Sequence, residues 1–250
     1  MSNPEEFSRE AYSRTEILLG NEALEKLNQH HILIAGLGGV GAYVAESLAR
    51  IGIQKLTIVD HDVVSASNLN RQLLALHSTL GQPKTEVMAA RLRDINPDVE
   101  LHALQQFIEK DQVADFIAQG QFDFVVDCID SIACKAALVA ACLQQEVPVA
   151  SSMGAGNRLD VSKVAVASLN QTHGCALARE VRAALKKMGV APRYPVVYSH
   201  EHARKPLPHQ PLEGDAPGRP RAVNGTIAYM PALFGQMLSG IVVQHLLWKN

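Results

Sequence analysis

The chain has 250 residues, 47% of them hydrophobic and 19% charged, with a formal net charge of −2. That length buries a substantial core, and the balance excludes both a disordered polyelectrolyte and a uniformly basic nucleic-acid coat protein. The charge is nevertheless uneven: from Arg179 to Arg221 nine Lys/Arg stand against four Asp/Glu, a local +5 against −7 elsewhere, which predicts one cationic surface.

The opening stretch "MSNPEEFSREAYSR" lacks the basic-then-apolar pattern of a secretory leader, and Cys128, Cys134, Cys142 and Cys175 form no CxxC pair. Both features point to a reducing cytoplasm. "HILIAGL" is a continuous apolar run ending in glycine, as a strand buried on both faces should be. "GAYVAESLARIG" then carries Val44, Leu48 and Ile51 at helical spacing. "KLTIVD" reads as a second strand, and "GQPKTEVMAARLRDINP" as a helix with one proline at its start and another after its end. "VELHALQ", "FDFVVDCID" and "VPVASSMG" supply three more strands, with helices at "DQVADFIAQG" and "SIACKAALVAACLQQE" between them. Alternating strands and helices require crossover connections.

Beyond Gly154 the rhythm changes. "KVAVASL" and "YPVVYSHE" read as strands flanking a basic helix from about Ala176 to Met188, and five prolines predict a mobile surface loop over 203–221. The apolar run Thr226–Trp248 contains Pro231, Gln236, Gln244 and His245, which predicts a buried or dimer-forming helix and no membrane insertion; Gly235 and Gly240 invite close packing there. The fold expected is therefore α/β: a Rossmann-like, mainly parallel sheet with helices on both faces over 1–156. A smaller C-terminal α+β extension over 157–250 belongs to the same globular unit.

Gly36, Gly38 and Gly41 spell G-x-G-x-x-G between a strand and a helix, and Asp60 ends the next strand. A turn without side chains lets phosphates approach backbone N–H groups at a helix N-terminus, while the carboxylate accepts ribose hydroxyls. The glycines do not say which nucleotide binds. "DHDVVSASNLNRQLL" argues against a dinucleotide used for hydride transfer, which has no need of Asp62, Asn68, Asn70, Arg71 and Gln72 just past the ribose carboxylate. A triphosphate does, because Arg71 can fork onto phosphate oxygens and the amides can orient them. Lys84 adds a point charge at the start of the next helix, and Asp130, ending the fourth strand, is placed to hold Mg²⁺.

"YSRTEILLG", "AGLGGVG", "VDHDVVSASNLNRQ", "GQPKTEV", "INP", "DCIDS" and "KAAL" resemble the ubiquitin-activating-type, ThiF/MoeB-like adenylating family over about Tyr12 to Gly156. The resemblance implies ATP-dependent adenylation of a carboxylate. It assigns Gly39 and Asp60 to adenosine and ribose, Asn68, Arg71 and Lys84 to the triphosphate, and Asp130 to Mg²⁺. Arg14 matches an arginine that reaches into the neighbouring subunit of the family's homodimers. The second half, with "GAGNRLDVSKVAVASLNQT" and "ALAREVRAALKKMGV", resembles the tRNA threonylcarbamoyladenosine dehydratase branch, although that branch usually has phenylalanine and threonine where Tyr198 and His200 stand.

That branch implies a tRNA substrate whose threonine carboxylate becomes an acyl-adenylate and closes a ring with loss of water. Arg14, Arg71 and Lys84 would form the catalytic set. Arg179, Arg182, Lys186, Lys187, Arg204 and Lys205 are the candidate tRNA-phosphate ligands. The alternative within the family is adenylation of a ubiquitin-like sulfur carrier, and a sulfur-transfer protein is a possible partner. The paired CxxC zinc motifs of those relatives are missing here. Cys175 starts the basic helix, where a thiol pKa can be lowered, but stays outside the catalytic set.

Overall fold

The computed structural model describes residues 4–205 and 224–248. Two helices the sequence patterns did not assign, α1 (Pro4–Leu19) and α2 (Asn21–Asn28), precede the first strand. The sheet strands are β1 (His31–Ala35), β2 (Lys55–Val59), β3 (Glu100–Leu104), β4 (Phe124–Asp127), β5 (Val149–Ser152), β6 (Val164–Ser168) and β7 (Pro195–Ser199). Between and after them come α3 (Gly41–Ile51), α4 (Lys84–Ile95), α5 (Val113–Gly120), α6 (Ile132–Gln144), α7 (Ala176–Lys187) and α8 (Tyr229–Trp248).

All seven strands join one sheet in the order β3-β2-β1-β4-β5-β7-β6. Every neighbouring pair is parallel except β6 with β7, so β6 is an antiparallel edge on a Rossmann-like sheet. The order reverses direction between β1 and β4, which opens a crevice at their carboxyl ends.

Strand alternation sorts the core onto two faces. Ile32, Ile34, Leu56, Ile58, Phe124, Val126, Ala150 and Val197 pack with α2, α3, α4 and α8. Their neighbours Leu33, Ala35, Val125, Val149 and Val196 pack with α5, α6 and α7. Helices therefore cover both sides, and the strands beyond residue 156 extend the same sheet.

The last helix is long and apolar enough to cross a membrane by length and composition. Here it closes the first face instead. Met230, Phe234, Leu238, Val242 and Leu246 form a buried ridge repeating every four residues, directed at the core. A Cβ at Gly235 would stand 2.7 Å from the Val40 carbonyl oxygen, so only glycine admits α3 that closely; Gly240, expected to act likewise, faces open space.

β4 is shorter than the sequence suggests. It ends at Asp127, and Asp130 sits three residues further, exposed in the turn before α6. The cause is Asp127 itself: one carboxylate oxygen accepts the Ile129 N–H at 3.1 Å and turns the chain out of the sheet. His200 likewise follows β7 rather than lying on it. Residues 206–223, most of the proline-rich loop with Arg219 and Arg221, lie outside the described residues.

Candidate active site

The glycine turn links β1 to α3. Gly36 has φ +92, and a Cβ there would stand 2.9 Å from the Cys128 carbonyl oxygen, while one at Gly41 would fall 1.8 Å from the Gly36 carbonyl oxygen. A side chain at either position would force the turn apart. What results is a tight glycine turn at the start of α3, on the crevice edge, where the helix dipole favours anions.

Asp60 is buried and holds this turn. Its carboxylate accepts the Leu37 N–H at 2.6 Å and the Asp62 N–H at 2.8 Å. A carboxylate has about four acceptor positions, so two remain for hydroxyl donors. Gln72 is also buried beside the turn, its amide nitrogen 3.9 Å from where a Cβ on Gly38 would lie, and its side-chain oxygen has no hydrogen-bond partner among the described residues. An orphaned buried acceptor costs about 1–3 kcal/mol, so it marks a place where a ligand donor fits.

Lys84 reaches the same edge from α4. Its backbone N–H donates to the Asp62 carbonyl at 3.0 Å beside a Val63–Pro83 bridge, and its ammonium meets the Asp62 carboxylate at 2.7 Å. The lysine side chain is 5% exposed but Asp62 is 50% exposed, so an incoming anion can compete for the ammonium from the open side. Asp60, His61 and Asp62 also bring one ligand atom each within 4.8 Å of one another.

Arg71 is half-buried against the turn, its Cγ 3.6 Å from where a Cβ on Gly39 would lie. Desolvation draws its guanidinium pKa down from the ordinary value, although an arginine keeps its charge. One nitrogen donates to the Ser67 carbonyl at 2.8 Å and to the Asn70 side-chain oxygen at 3.0 Å; the others bond no described residue. Asn68 accepts the Ser65 N–H at 3.2 Å, and Asn70 donates to the Thr226 carbonyl at 3.0 Å. These amides fix the segment that presents Arg71.

The structure thus brings together Gly36, Gly38, Gly39, Gly41, Asp60, Asp62, Asn68, Asn70, Arg71, Gln72 and Lys84. Asp130 stands on the turn after β4, the strand beside β1. Arg14 does not join its own chain's cluster. The neighbouring Tyr12 packs 3.5 Å from where a Cβ on Gly52 would lie, at the opposite end of α3 from the glycine turn, and the eleven residues of α3 span about 16 Å.

The cationic set divides. Arg179, Lys186, Lys187, Arg204 and Lys205 are exposed. Arg182 turns inward and donates to the Leu169 carbonyl at 3.1 Å and to both the carbonyl and hydroxyl of Thr172, so it holds the turn before α7 rather than facing solvent phosphates. Burial and Asp127 push the Cys128 thiol far above its ordinary pKa, and burial pushes Cys142 up to about 12, so neither supplies a thiolate near neutral pH. Cys175 is buried at the head of α7.

One network escaped the sequence patterns. Lys135 and Asp127 are fully buried and 2.7 Å apart; the same carboxylate oxygen takes the Ser151 hydroxyl at 2.6 Å, and the ammonium also reaches the Ser152 carbonyl at 3.1 Å. Ser151 also meets the Tyr194 hydroxyl at 3.1 Å. A lone lysine in the apolar run "IACKAALVAACL", eight residues after an aspartate ending a buried strand, was the available signal.

Comparison with known proteins agrees with this architecture. The ThiF family model matches residues 12–249. A tRNA threonylcarbamoyladenosine dehydratase of Bacillus subtilis is 37% identical over 243 residues, covering 94% of each chain. The Escherichia coli tRNA N6-threonylcarbamoyladenosine dehydratase in complex with AMP superimposes with a TM-score of 0.87 at 31% identity, covering 98% of each chain. The same E. coli enzyme in complex with ATP gives a TM-score of 0.83 at 31% identity, covering 95% of this chain and 94% of that one.

Proposed function

Because this chain belongs to the ThiF family, and within it to the tRNA threonylcarbamoyladenosine dehydratases, we propose that it is an ATP-dependent enzyme that dehydrates threonylcarbamoyladenosine in tRNA. The observation that carries this reading is the convergence of a tight glycine turn at a helix start, an orphaned buried Gln72 oxygen and two cations, Arg71 and Lys84, on one edge of the sheet. A hydride-transfer site has no use for the two cations.

The chemistry follows from what those groups can hold. A carboxylate is a poor acyl donor because its leaving group would be oxide. Its attack on the α-phosphorus of ATP forms a carboxyl–phosphate bond, breaks the bond to the β-phosphate and releases pyrophosphate. A nucleophilic atom of the same side chain then attacks the activated carbonyl, closes a ring and expels AMP, gaining from proximity. Backbone N–H groups at the head of α3, together with Arg71 and Lys84, stabilise the charge that builds on the phosphates. Asp60 and Gln72 hold the nucleoside end; Asn68 and Asn70 keep Arg71 aimed; Asp62 holds Lys84 until phosphate replaces it.

The carboxylates of Asp130 and the Asp60–Asp62 turn are hard oxygen donors of the kind Mg²⁺ prefers, and there the ion would neutralise phosphate charge. The pairing of subunits belongs to the same proposal. Ile17 and Leu18 are 82% and 80% exposed on α1, one helical turn from Arg14, an apolar surface suited to a second copy that would receive Arg14 near its phosphate site. The exposed Arg179, Lys186, Lys187, Arg204 and Lys205 contact tRNA phosphates, and the enzyme acts in the cytoplasm.

The deciding experiment incubates the protein with ATP, Mg²⁺ and tRNA carrying threonylcarbamoyladenosine, then digests the tRNA and weighs the nucleosides. The expected product has lost one water, with pyrophosphate released only when the modified tRNA is present. An unchanged nucleoside, with a small carrier protein adenylated at its C-terminal glycine instead, would overturn the proposal.

A further inference from the structure

Resting on that reading of the substrate, we propose that His173, Tyr198 and His200 form a ring platform on which a nucleobase of the RNA stacks. The three side chains come from two places in the chain. Tyr198 is in β7, His200 is the first residue beyond it, and His173 stands in the turn before α7. β7 runs parallel to β5, and β5 to β4 and β1, so its carboxyl end lies on the same edge as the glycine turn. It is three strands from β1, about 14 Å at the usual strand spacing. A substrate whose acid is activated near the β1–β4 crevice carries its base away from that point at the far end of an extended side chain. The edge beyond β5 is one of the two directions along the sheet in which such a base can lie.

The rings are arranged for one-sided contact. His173 and His200 lie 5.6 Å apart at 33°, and His173 meets Tyr198 at 5.8 Å and 74°. Those separations are direct ring contact, so nothing slips between them, and a ligand must use their outer faces. Tyr198 is buried, its hydroxyl 3.5 Å from the His173 Nδ1, while His173 is exposed and His200 half-exposed. The tyrosine is the backing and the two imidazoles are the contact surface.

The platform is backed by a buried arginine and a buried glutamate that tie its loops together. Gly174, at φ +68, packs so close that a Cβ would stand 2.9 Å from the His200 carbonyl oxygen. Arg158 is buried behind it and donates to the carbonyls of Gly154, Gly156, Gly174 and Glu201. Glu201, also buried, accepts the N–H groups of Leu159 and Asp160 at 2.9 Å each. Three loops are thereby clamped to one another, and what they present to solvent is a pair of imidazoles. Exposed histidines add little to a core, whereas rigid ring faces cost a stacking base little ordering entropy. Arg204 and Lys205, four and five residues beyond His200, are exposed on the same segment and supply the positive charge that single-stranded RNA binding combines with ring stacking.

Steady-state dehydration with varied modified tRNA tests this. The His173→Ala, His200→Ala double variant should raise KM for tRNA by about tenfold while KM for ATP and the thermal midpoint stay at wild-type values, since stacking acts on the base alone. Replacing both residues with phenylalanine should restore most of the loss, because a ring and not a proton is required. An anticodon stem–loop RNA, titrated without ATP and followed by fluorescence anisotropy, should bind the alanine variant more weakly by a similar factor. Unchanged KM and anisotropy in the alanine variant would overturn the platform, as would failure of phenylalanine to rescue. If wild-type protein binds the stem–loop in a ring-dependent way but removes no water, the platform stands and the reaction assignment falls.

Discussion

Two lysine–aspartate pairs in this molecule share a 2.7 Å separation and have opposite prospects. Lys135 and Asp127 are wholly buried between β4, β5 and α6, whereas Lys84 lies under the surface with its partner Asp62 half in water. Distance alone would rank them as equals. Solvent access separates them. A buried pair is locked, because either charge left alone has no water to replace its partner. An open pair is exchangeable, because the carboxylate is rehydrated whenever another anion takes the lysine. The first is architecture, shaping the turn that carries Asp130; the second is a phosphate site waiting behind a counter-ion.

The widest gap between the pairs should appear in stability. Lys135→Ala leaves Asp127 buried with the Ser151 hydroxyl and the Ile129 N–H but no charge partner, a defect that typically costs about 3–5 kcal/mol. For a chain of this size that is a fall of roughly 10 °C in thermal midpoint. Urea denaturation of the Asp127→Asn, Lys135→Met double variant should recover at least half of the loss, since no unpaired charge remains. If Lys135→Ala melts like the wild type, water reaches Asp127 and the contrast with the open pair disappears.

Lys84→Ala should do the reverse. Its removal leaves Asp62 facing solvent, so the thermal midpoint should move by only a few degrees. Pyrophosphate release driven by modified tRNA should fall at least about a hundredfold, the usual scale for losing one preorganised charge at a phosphoryl centre. A fall in stability comparable with that of Lys135→Ala, with turnover per folded molecule retained, would make both pairs structural.

The two pairs were also unequally legible in the sequence. Lys84 stood out because a strand, a glycine turn and a helix start are local patterns, and the residues near them inherit a position. The same locality revealed the five alternating strands up to Gly154 as a parallel set, the glycine turn and, to within a residue, α7. Lys135 was hidden because its partner lies across a strand–helix packing contact that no periodicity records. Arg182 is hidden for the same reason: on the helical wheel it is one more cation, and only the return of the Leu169–Thr172 turn shows it facing inward. The helices α1 and α2 escape because their apolar content is low, and Tyr12 and Leu27 hold them against the rest of the fold by tertiary packing. His173 carries no motif, and no local pattern brings it to His200. Their closeness depends on two loops meeting at the sheet edge.

The smallest effect is the most direct probe of exchange. Asp62→Asn keeps the size of the side chain and removes its charge. Only Asp62 is half in water, but the asparagine oxygen can still accept a hydrogen bond from the buried ammonium, so the loss should cost about 1–2 kcal/mol, and the backbone bonds around Val63 and Pro83 keep Lys84 in place. In the wild type, however, every bound phosphate must first displace a carboxylate from the ammonium. Without that competitor, calorimetric titration of ATP in chelator, free of Mg²⁺, should show affinity raised several-fold. The gain should shrink as salt is added, because the opposing carboxylate is screened. Weaker binding in the variant would mean that Asp62 serves the nucleotide itself, and that the open pair is no counter-ion switch.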